Sequence, residues 1–292
     1  MKRKTKVIII LLLFLITSLF LIVSINIEIN EANLYVKKYE EAIHSCEYVD
    51  KNNIEEYKRC LSIINDFNRE DYYNFYVILG NTITWHINSI GIIMILIIDS
   101  AGLIFVNKMF NNKYVVNYYI RAEKSKLLKD ILKESYIYII PISCAFLVSI
   151  VYLRLRTNLS ISNSIVTNWS FTTIKNIYLF LVLYILQLCL FLASYINIGI
   201  IMSRRHCNYI VSLISTYLVF ISWEIFQEFC LGRLFKIKYS SYLSIANPFC
   251  FDDRLGILSP IVFPAILFII TTIVVLIIFN NKEKVYLDTE KI

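Results

Sequence analysis

The sequence predicts an all-α, polytopic membrane protein with about six transmembrane helices. Hydrophobic residues make up 58% of the 292 residues and charged residues only 17%, an apolar content beyond what one soluble core of this size needs. The apolar residues form six stretches of about twenty residues, the length of helix that spans a bilayer core. None of these stretches alternates strictly between apolar and polar residues, as the strands of an outer-membrane barrel do.

Charged connectors separate the six predicted spans, and an even number of spans places both termini on one side of the membrane. The span boundaries follow the ends of the apolar stretches. They are Val7–Ile27, Ile83–Val106, Ser135–Tyr152, Ile177–Met202, Tyr209–Phe229 and Ile261–Asn280. We therefore expect residues 1–292 to form a single transmembrane domain, with an extracytoplasmic insertion at 28–82 and a cytoplasmic connector at 107–134.

The distribution of basic residues predicts the orientation of the spans. Four Lys and Arg precede the first span, and the positive-inside rule places such a terminus in the cytoplasm. A cleaved signal peptide is the alternative, but Ser24–Asn30 contains no small-x-small cleavage pattern. The connector at 107–134 has seven bases and three acids, whereas the connector at 28–82 has six bases and eleven acids. Both termini are thus expected on the cytoplasmic side of the cell membrane, although Arg154, Arg156 and Lys175 fall in a predicted external connector.

The external insertion at 28–82 is predicted to form a helical hairpin. Apolar residues recur at mostly helical spacing on both sides of Asp50–Asn53, which supplies the turn. Such a hairpin would bring Cys46 and Cys60 to similar heights on facing sides, so a disulfide could form in an oxidising compartment. Two buried free thiols are the alternative. Cys230 and Cys250, in the last external connector, are the other candidates for a disulfide.

A few polar residues inside or near the spans are candidates for function. Asp99 is the only acid well inside a predicted span, where an ionised carboxylate costs about 2.5 to 3.5 kcal/mol. It either lies on a substrate or ion pathway, or it pairs with a nearby donor or reaches water at the helix end. Asn88 either lines the bundle interior or lies at the outer interface. Glu224 and Glu228 share a helix face and could attract a cation, pair with Arg233 or meet solvent.

The sequence contains no catalytic or nucleotide-binding signature. Its three histidines, His44, His86 and His206, form no H-E-x-x-H pair, and neither a G-x-S-x-G elbow nor a G-x-x-x-x-G-K-[ST] loop occurs. We therefore predict that the chain is not an enzyme, holds no metal or cofactor, and depends on a partner for any ATP hydrolysis. Its net charge of +7 comes from residues that flank apolar stretches, which favours contact with membrane lipid and argues against a nucleic-acid partner.

Two local stretches and the order of the spans indicate a family. The segment Tyr118–Lys133 is basic and leads into the third span, with Ser125 and Lys126 followed by Lys133. Ala246–Phe249 contains an Asn-Pro pair before the last span. These features and the six-span layout resemble the membrane subunits of ABC-2 type exporters, including lantibiotic-immunity and sodium-export permeases. The acidic residue that the family has at the end of the second span is replaced here by Asn107 or Lys108.

The resemblance implies a permease subunit that exports a hydrophobic or amphipathic substrate. It implies pairing with itself or a second permease and with a separate cytoplasmic ABC ATPase. The segment from about 111 to 125 would be the coupling helix, and the residues expected to contact the ATPase are Tyr118, Arg121, Glu123 and Lys126. Asp99 and Asn88 are the candidates for the translocation path. An ordinary charged loop at the membrane face is the alternative for the coupling segment.

A non-transporting sensor or immunity protein is the alternative function. The predicted external hairpin is acidic, with Glu40, Glu41, Glu47, Asp50, Glu55 and Glu56. Such a surface would attract a cationic peptide, although a solvated helix face has the same composition. A neighbouring ATPase gene would favour transport over this alternative.

Overall fold

The chain is all-helical in the part that the computed structural model describes. The described residues are 3–46, 48, 54–66, 73–83, 88–111, 124–157, 177–206, 208–236, 256 and 258–280, and they contain no strand. In chain order the helices are α1 (Arg3–Cys46), α2 (Ile54–Asp66), α3 (Phe75–Asn81), α4 (Asn88–Asn111), α5 (Lys124–Tyr136), α6 (Ile139–Arg156), α7 (Ile177–His206), α8 (Tyr209–Ile225) and α9 (Ser259–Asn280). A π-helical segment, Phe226–Leu234, directly follows α8.

Five helical segments of the described residues are long and apolar enough to cross a membrane. They are Lys4–Cys46, Lys126–Arg156, Tyr178–Arg205, Tyr209–Leu234 and Ser259–Phe279, each at least as long as a bilayer-spanning helix. The chain is therefore a helical membrane protein. The second predicted span falls on α4, which has 24 residues, and the count of six spans stays a prediction.

The chain divides into two compact units. Unit 1 consists of Met1–Thr17, Asn88–Ala145 and Phe171–Ile292, and unit 2 consists of Ser18–Ile87 and Phe146–Ser170. Unit 1 therefore contains the start of α1, the whole of α4, α5, α7, α8 and α9, and the first turns of α6. Unit 2 contains the rest of α1, together with α2, α3 and the remainder of α6.

Helix α7 is the centre of unit 1. Every residue from Phe191 to Ile200 is buried, and α7 packs against α4, α5, α8 and α9. Helix α9 lies at the outside and buries only a stripe that includes Thr271, Val275 and Phe279, while isoleucines such as Ile269 cover its other side. An apolar outer surface around a buried helix is the arrangement expected of a bundle in lipid, where the outer side chains meet acyl chains.

Side-chain contacts show that α4, α7 and α9 run in the same direction. Along α4 and α7, Leu103 lies beside Gly199, and Asn107 bonds Ser203 one turn later. Along α7 and α9 the successive contacts are Phe191 with Phe263, Asn197 with Thr271, and Arg204 with Phe279. In both pairs the contacts advance together along the two sequences, so the helices are parallel. Parallel directions are what the sequence predicts for the second, fourth and sixth spans.

The α5–α6 segment runs antiparallel to α7. Tyr136 bonds Asn197, whereas Ser143, further along the chain, contacts Cys189, which precedes Asn197. The two helices are separated by a turn at Ile137 and Tyr138. Pro141 explains this turn, because it lacks an N–H group and its ring crowds the carbonyl group four residues earlier. Helical structure thus begins at Lys124, well before the predicted start of the third span at Ser135.

The π-helical segment extends past the predicted end of the fifth span at Phe229. Its geometry brings residues five apart together: Arg233 donates to Glu228 at 2.8 Å, and the Phe235 N–H donates to the Cys230 carbonyl at 2.9 Å. Cys230, a candidate for a disulfide in the last external connector, instead lies within this helical segment and has a free thiol. Its proposed partner Cys250 is outside the described residues.

Unit 2 is joined by a disulfide between Cys46, the last residue of α1, and Cys60 in α2. Helix α1 has 44 residues without a break, a length of about 66 Å, so the first predicted span and the first predicted hairpin helix form one helix. The turn predicted at Asp50–Asn53 lies outside the described residues, and the hairpin stays a prediction.

Helix α3 was not expected from the sequence. Its start is capped by Asn74, whose side chain accepts a hydrogen bond from the Tyr76 N–H at 2.8 Å. Phe75, Ile78 and Leu79 are buried. The apolar stretch from Phe75 to Gly80 is too short for a span. Its sequence also does not indicate that it forms a separate short helix.

We expect Gly199→Ala to destabilise the α4–α7 contact. A Cβ at this position would lie 2.8 Å from Cδ1 of Leu103, and Leu103 is fully buried, so it has little room to move. Overpacking of this kind costs about 1 to 3 kcal/mol, which thermal unfolding in detergent would measure. Gly102→Ala is the matched control, because its nearest neighbour would be 3.4 Å away. Equal stability of the two variants would contradict the close contact.

Candidate functional site

Buried polar side chains concentrate along the centre of unit 1. They lie on helices that the sequence predicts as spans, or on helix α5 beside them. Polar groups inside a membrane bundle are costly unless they have partners on neighbouring helices, and they often mark substrate or ion pathways. On α4, α5, α7 and α9 the set comprises Asp99, Asn107, Ser135, Gln187, Ser194, Asn197, Ser203, Arg204 and Thr271. These residues are the candidate functional site.

Asn197 connects three helices. Its Oδ1 accepts a hydrogen bond from the Tyr136 hydroxyl at 2.6 Å, and its Nδ2 donates to Oγ1 of Thr271 at 3.2 Å and of Thr272 at 3.0 Å. The amide can do this because it has a donor and an acceptor at the same end of one side chain. Helices α5, α7 and α9 are therefore held together at one buried point.

A second polar contact joins α4 to α7 further along both helices. Nδ2 of Asn107 donates to the Ser203 hydroxyl at 3.1 Å and to the Leu103 carbonyl at 3.2 Å. The next residue of α7, Arg204, is buried, donates to the Ile278 carbonyl of α9, and lies with its guanidinium 5.7 Å from the centre of the Phe279 ring. A cation at this place is favourable because the last carbonyl groups of a helix lack intrahelical partners.

Asp99 is the one acidic residue of this set. It is 1% exposed, and neither carboxyl oxygen has a hydrogen-bond partner within the described residues. It lies near the middle of α4, close enough to Tyr195 of α7 and Tyr209 of α8 to interact with their hydroxyl groups electrostatically. Among the described residues, no side chain therefore serves as the paired donor that the sequence analysis left open.

Helix α5 is amphipathic and connects to the polar core at its end. Leu127 and Ile131 are fully buried, while Lys126, Lys129 and Lys133 are exposed. Glu134 forms an ion pair of 2.7 Å with Lys6 of α1, and the Ser135 hydroxyl donates to the Gly102 carbonyl of α4 at 3.1 Å. Together with the Tyr136 bond to Asn197, the last turn of α5 contacts α1, α4 and α7.

Only some of the residues singled out from the sequence lie in the part of the chain that the structure describes. Tyr118, Arg121 and Glu123 lie outside the described residues, and Lys126 is an exposed residue of the first turn of α5. Asn88 is the first residue of α4, and the structure does not describe its side chain. Of the predicted residues, only Asp99 thus falls within the described polar core.

Glu224 and Glu228, which the sequence places on one helix face, lie in α8 and in the π-helical segment respectively. Glu228 forms an exposed ion pair with Arg233, one of the alternatives left open by the sequence. Within the described residues no three His, Cys, Asp or Glu side chains come together as metal ligands. The sequence analysis did not predict Asn197 and Arg204 as core residues. Asn197 could have been predicted, because it is a polar residue inside a long apolar stretch.

Comparisons with protein-family models, with curated protein sequences and with solved structures find no match for this chain. The geometry of the polar core and the sequence pattern are therefore the basis for a functional proposal.

We expect Tyr136→Phe and Asn197→Ala to show energetic coupling. Each variant removes the buried hydrogen bond between the two side chains, and such bonds in membrane bundles contribute about 0.6 to 1.7 kcal/mol. In a double-mutant cycle of unfolding free energies, Tyr136→Phe should cost less when Asn197 is already alanine. Strictly additive effects would contradict a direct bond. Ser100→Ala is a suitable control partner for Asn197→Ala, because the Ser100 hydroxyl bonds its own helix at Ile97.

Proposed function

We propose that this chain is the membrane-spanning permease subunit of an ABC-2 type exporter in the cell membrane. The observation that carries the proposal is the buried polar core that links the parallel helices α4, α7 and α9 inside an apolar bundle. Polar side chains at these positions are costly in lipid and are typical of transport pathways. Asp99 would face the translocation path, and both termini would be cytoplasmic.

The contacts of α5 support a role in transmitting motion. The helix follows the connector that resembles a coupling segment, and its last turn contacts α1 through the Lys6–Glu134 ion pair and α7 through the Tyr136–Asn197 bond. A force applied to the connector would therefore act on the polar core through α5. Shifts of a packed helix by small distances are a common way to switch a bundle between two states.

The proposal requires partners. The chain has no nucleotide-binding loop, so a cytoplasmic ABC ATPase would supply ATP hydrolysis, and a second copy or a related permease would complete the pathway. The proposed substrate is a hydrophobic or amphipathic peptide, lipid or drug-like compound, as the resemblance to these exporters implies. Anionic lipid would meet the exposed lysines of α5.

A pull-down from native membranes in mild detergent tests the permease assignment. The tagged chain should recover an ABC ATPase, and Arg121→Glu should remove most of it, because charge reversal in the coupling segment repels its partner surface. Arg59→Glu is the matched control, since Arg59 is an exposed residue of α2 on the proposed outer side and should leave recovery unchanged. Recovery of no ATPase, or equal loss with both variants, would contradict the assignment.

A sensor or immunity protein is the second candidate, favoured by the disulfide of unit 2. This bond fixes α2 to the end of α1, and Glu40, Glu41 and Glu55 are exposed on these two helices. The insertion at 28–82 contains eleven acids and six bases, an excess of acids that would attract a cationic peptide. Deletion of 34–67 would then abolish peptide protection, and unchanged protection would exclude the recognition role.

A further inference from the structure

Asp99 is a buried acid of α4 that receives no hydrogen bond and forms no ion pair within the described residues. Its helix extends to Asn111, past the predicted boundary at Val106, so Asp99 lies near the helix centre. Twelve residues of α-helix separate it from that end, a distance of about 18 Å. At 1% exposure, the carboxyl group cannot be solvated from the end of the helix.

The hydroxyl groups of Ser100 and Tyr209, two donors near Asp99, are engaged elsewhere. The Ser100 hydroxyl donates to the Ile97 carbonyl at 2.7 Å, and the Tyr209 hydroxyl donates to the Ser100 carbonyl at 2.7 Å. Ser135 of α5 donates to the Gly102 carbonyl one turn later. Neither oxygen of Asp99 receives a hydrogen bond from any described residue.

The titratable groups of the described residues that interact with Asp99 supply no positive charge. They are Tyr195 of α7 and Tyr209 of α8, and Tyr195 also interacts with the acid Glu224 of α8. No Lys, Arg or His of the described residues pairs with Asp99. A buried ionised carboxylate without a cation or donors is far more costly than the neutral acid, so such a group takes up a proton instead.

We infer that Asp99 is a proton-binding site, whose carboxyl group is neutral in this conformation and releases its proton when the bundle opens to water or to a cationic group. In that step the O–H bond of the acid breaks, the proton passes to water, and the carboxylate remains. The inference does not rest on an ATPase partner.

The packing around Asp99 explains why release requires opening. Leu103 fits against Gly199, and Ile196 lies against Gly102, so α4 and α7 are in close contact immediately after Asp99 along α4. Separation of these helices would give water access to the acid. Proton release would then leave a negative charge between α4 and α7, which favours the open state or a cationic ligand over the closed contact.

Infrared difference spectroscopy of the full chain in lipid tests this inference. The wild-type minus Asp99→Asn spectrum at neutral pH should contain the carbonyl stretch of a protonated carboxylic acid. The matched control is Glu41→Gln, which removes an acid with 68% side-chain exposure and should give carboxylate bands only. A difference spectrum for Asp99→Asn that contains only carboxylate bands would overturn the inference.

Discussion

The bundle depends on one constraint: a polar group inside lipid must find its partner within the protein. No water is available in the hydrocarbon core to compensate an unpaired donor or acceptor. Asn197 meets this constraint for three helices at once, through Tyr136, Thr271 and Thr272. Because these partners come from α5 and α9, their bonds determine where both helices lie along α7.

The same constraint gives α7 its central position. Each neighbouring helix contacts α7 along one side only. Helix α7 itself has polar residues toward α4, α5 and α9 and is buried over Phe191–Ile200. Gly199 allows Leu103 to approach, so the Asn107–Ser203 bond can form one turn further on. Small residues that permit close helix contact, and polar bonds that then fix the register, are the usual means of association in membranes. Asp99 lies beside this tight contact and has no hydrogen-bond partner among the described residues.

Much of the fold was predictable because long apolar stretches have few alternatives in a membrane. The helix at 177–206 and the helix at 259–280 lie close to their predicted ranges, and Asp99 was identified because a charge in an apolar stretch is conspicuous. The partners of Asn197 were not predictable, since Tyr136 and Thr271 are distant in sequence and meet it only through the register of three helices. The π-helical extension beyond Phe229 has no sequence signature. The break before Ile139 could have been inferred from Pro141, whose effect on the preceding turn is local.

Accessibility labelling at the helix ends tests the central claim, that α4 and α7 are parallel membrane spans around the polar core. Lys108→Cys and Arg205→Cys introduce single thiols at exposed positions near the ends of α4 and α7, in a chain that keeps only the disulfide cysteines. A membrane-impermeant maleimide should label both positions from the cytoplasmic side only, and Lys38→Cys in the far part of α1 from the outside only. Labelling of positions 108 and 205 from opposite sides would contradict the account.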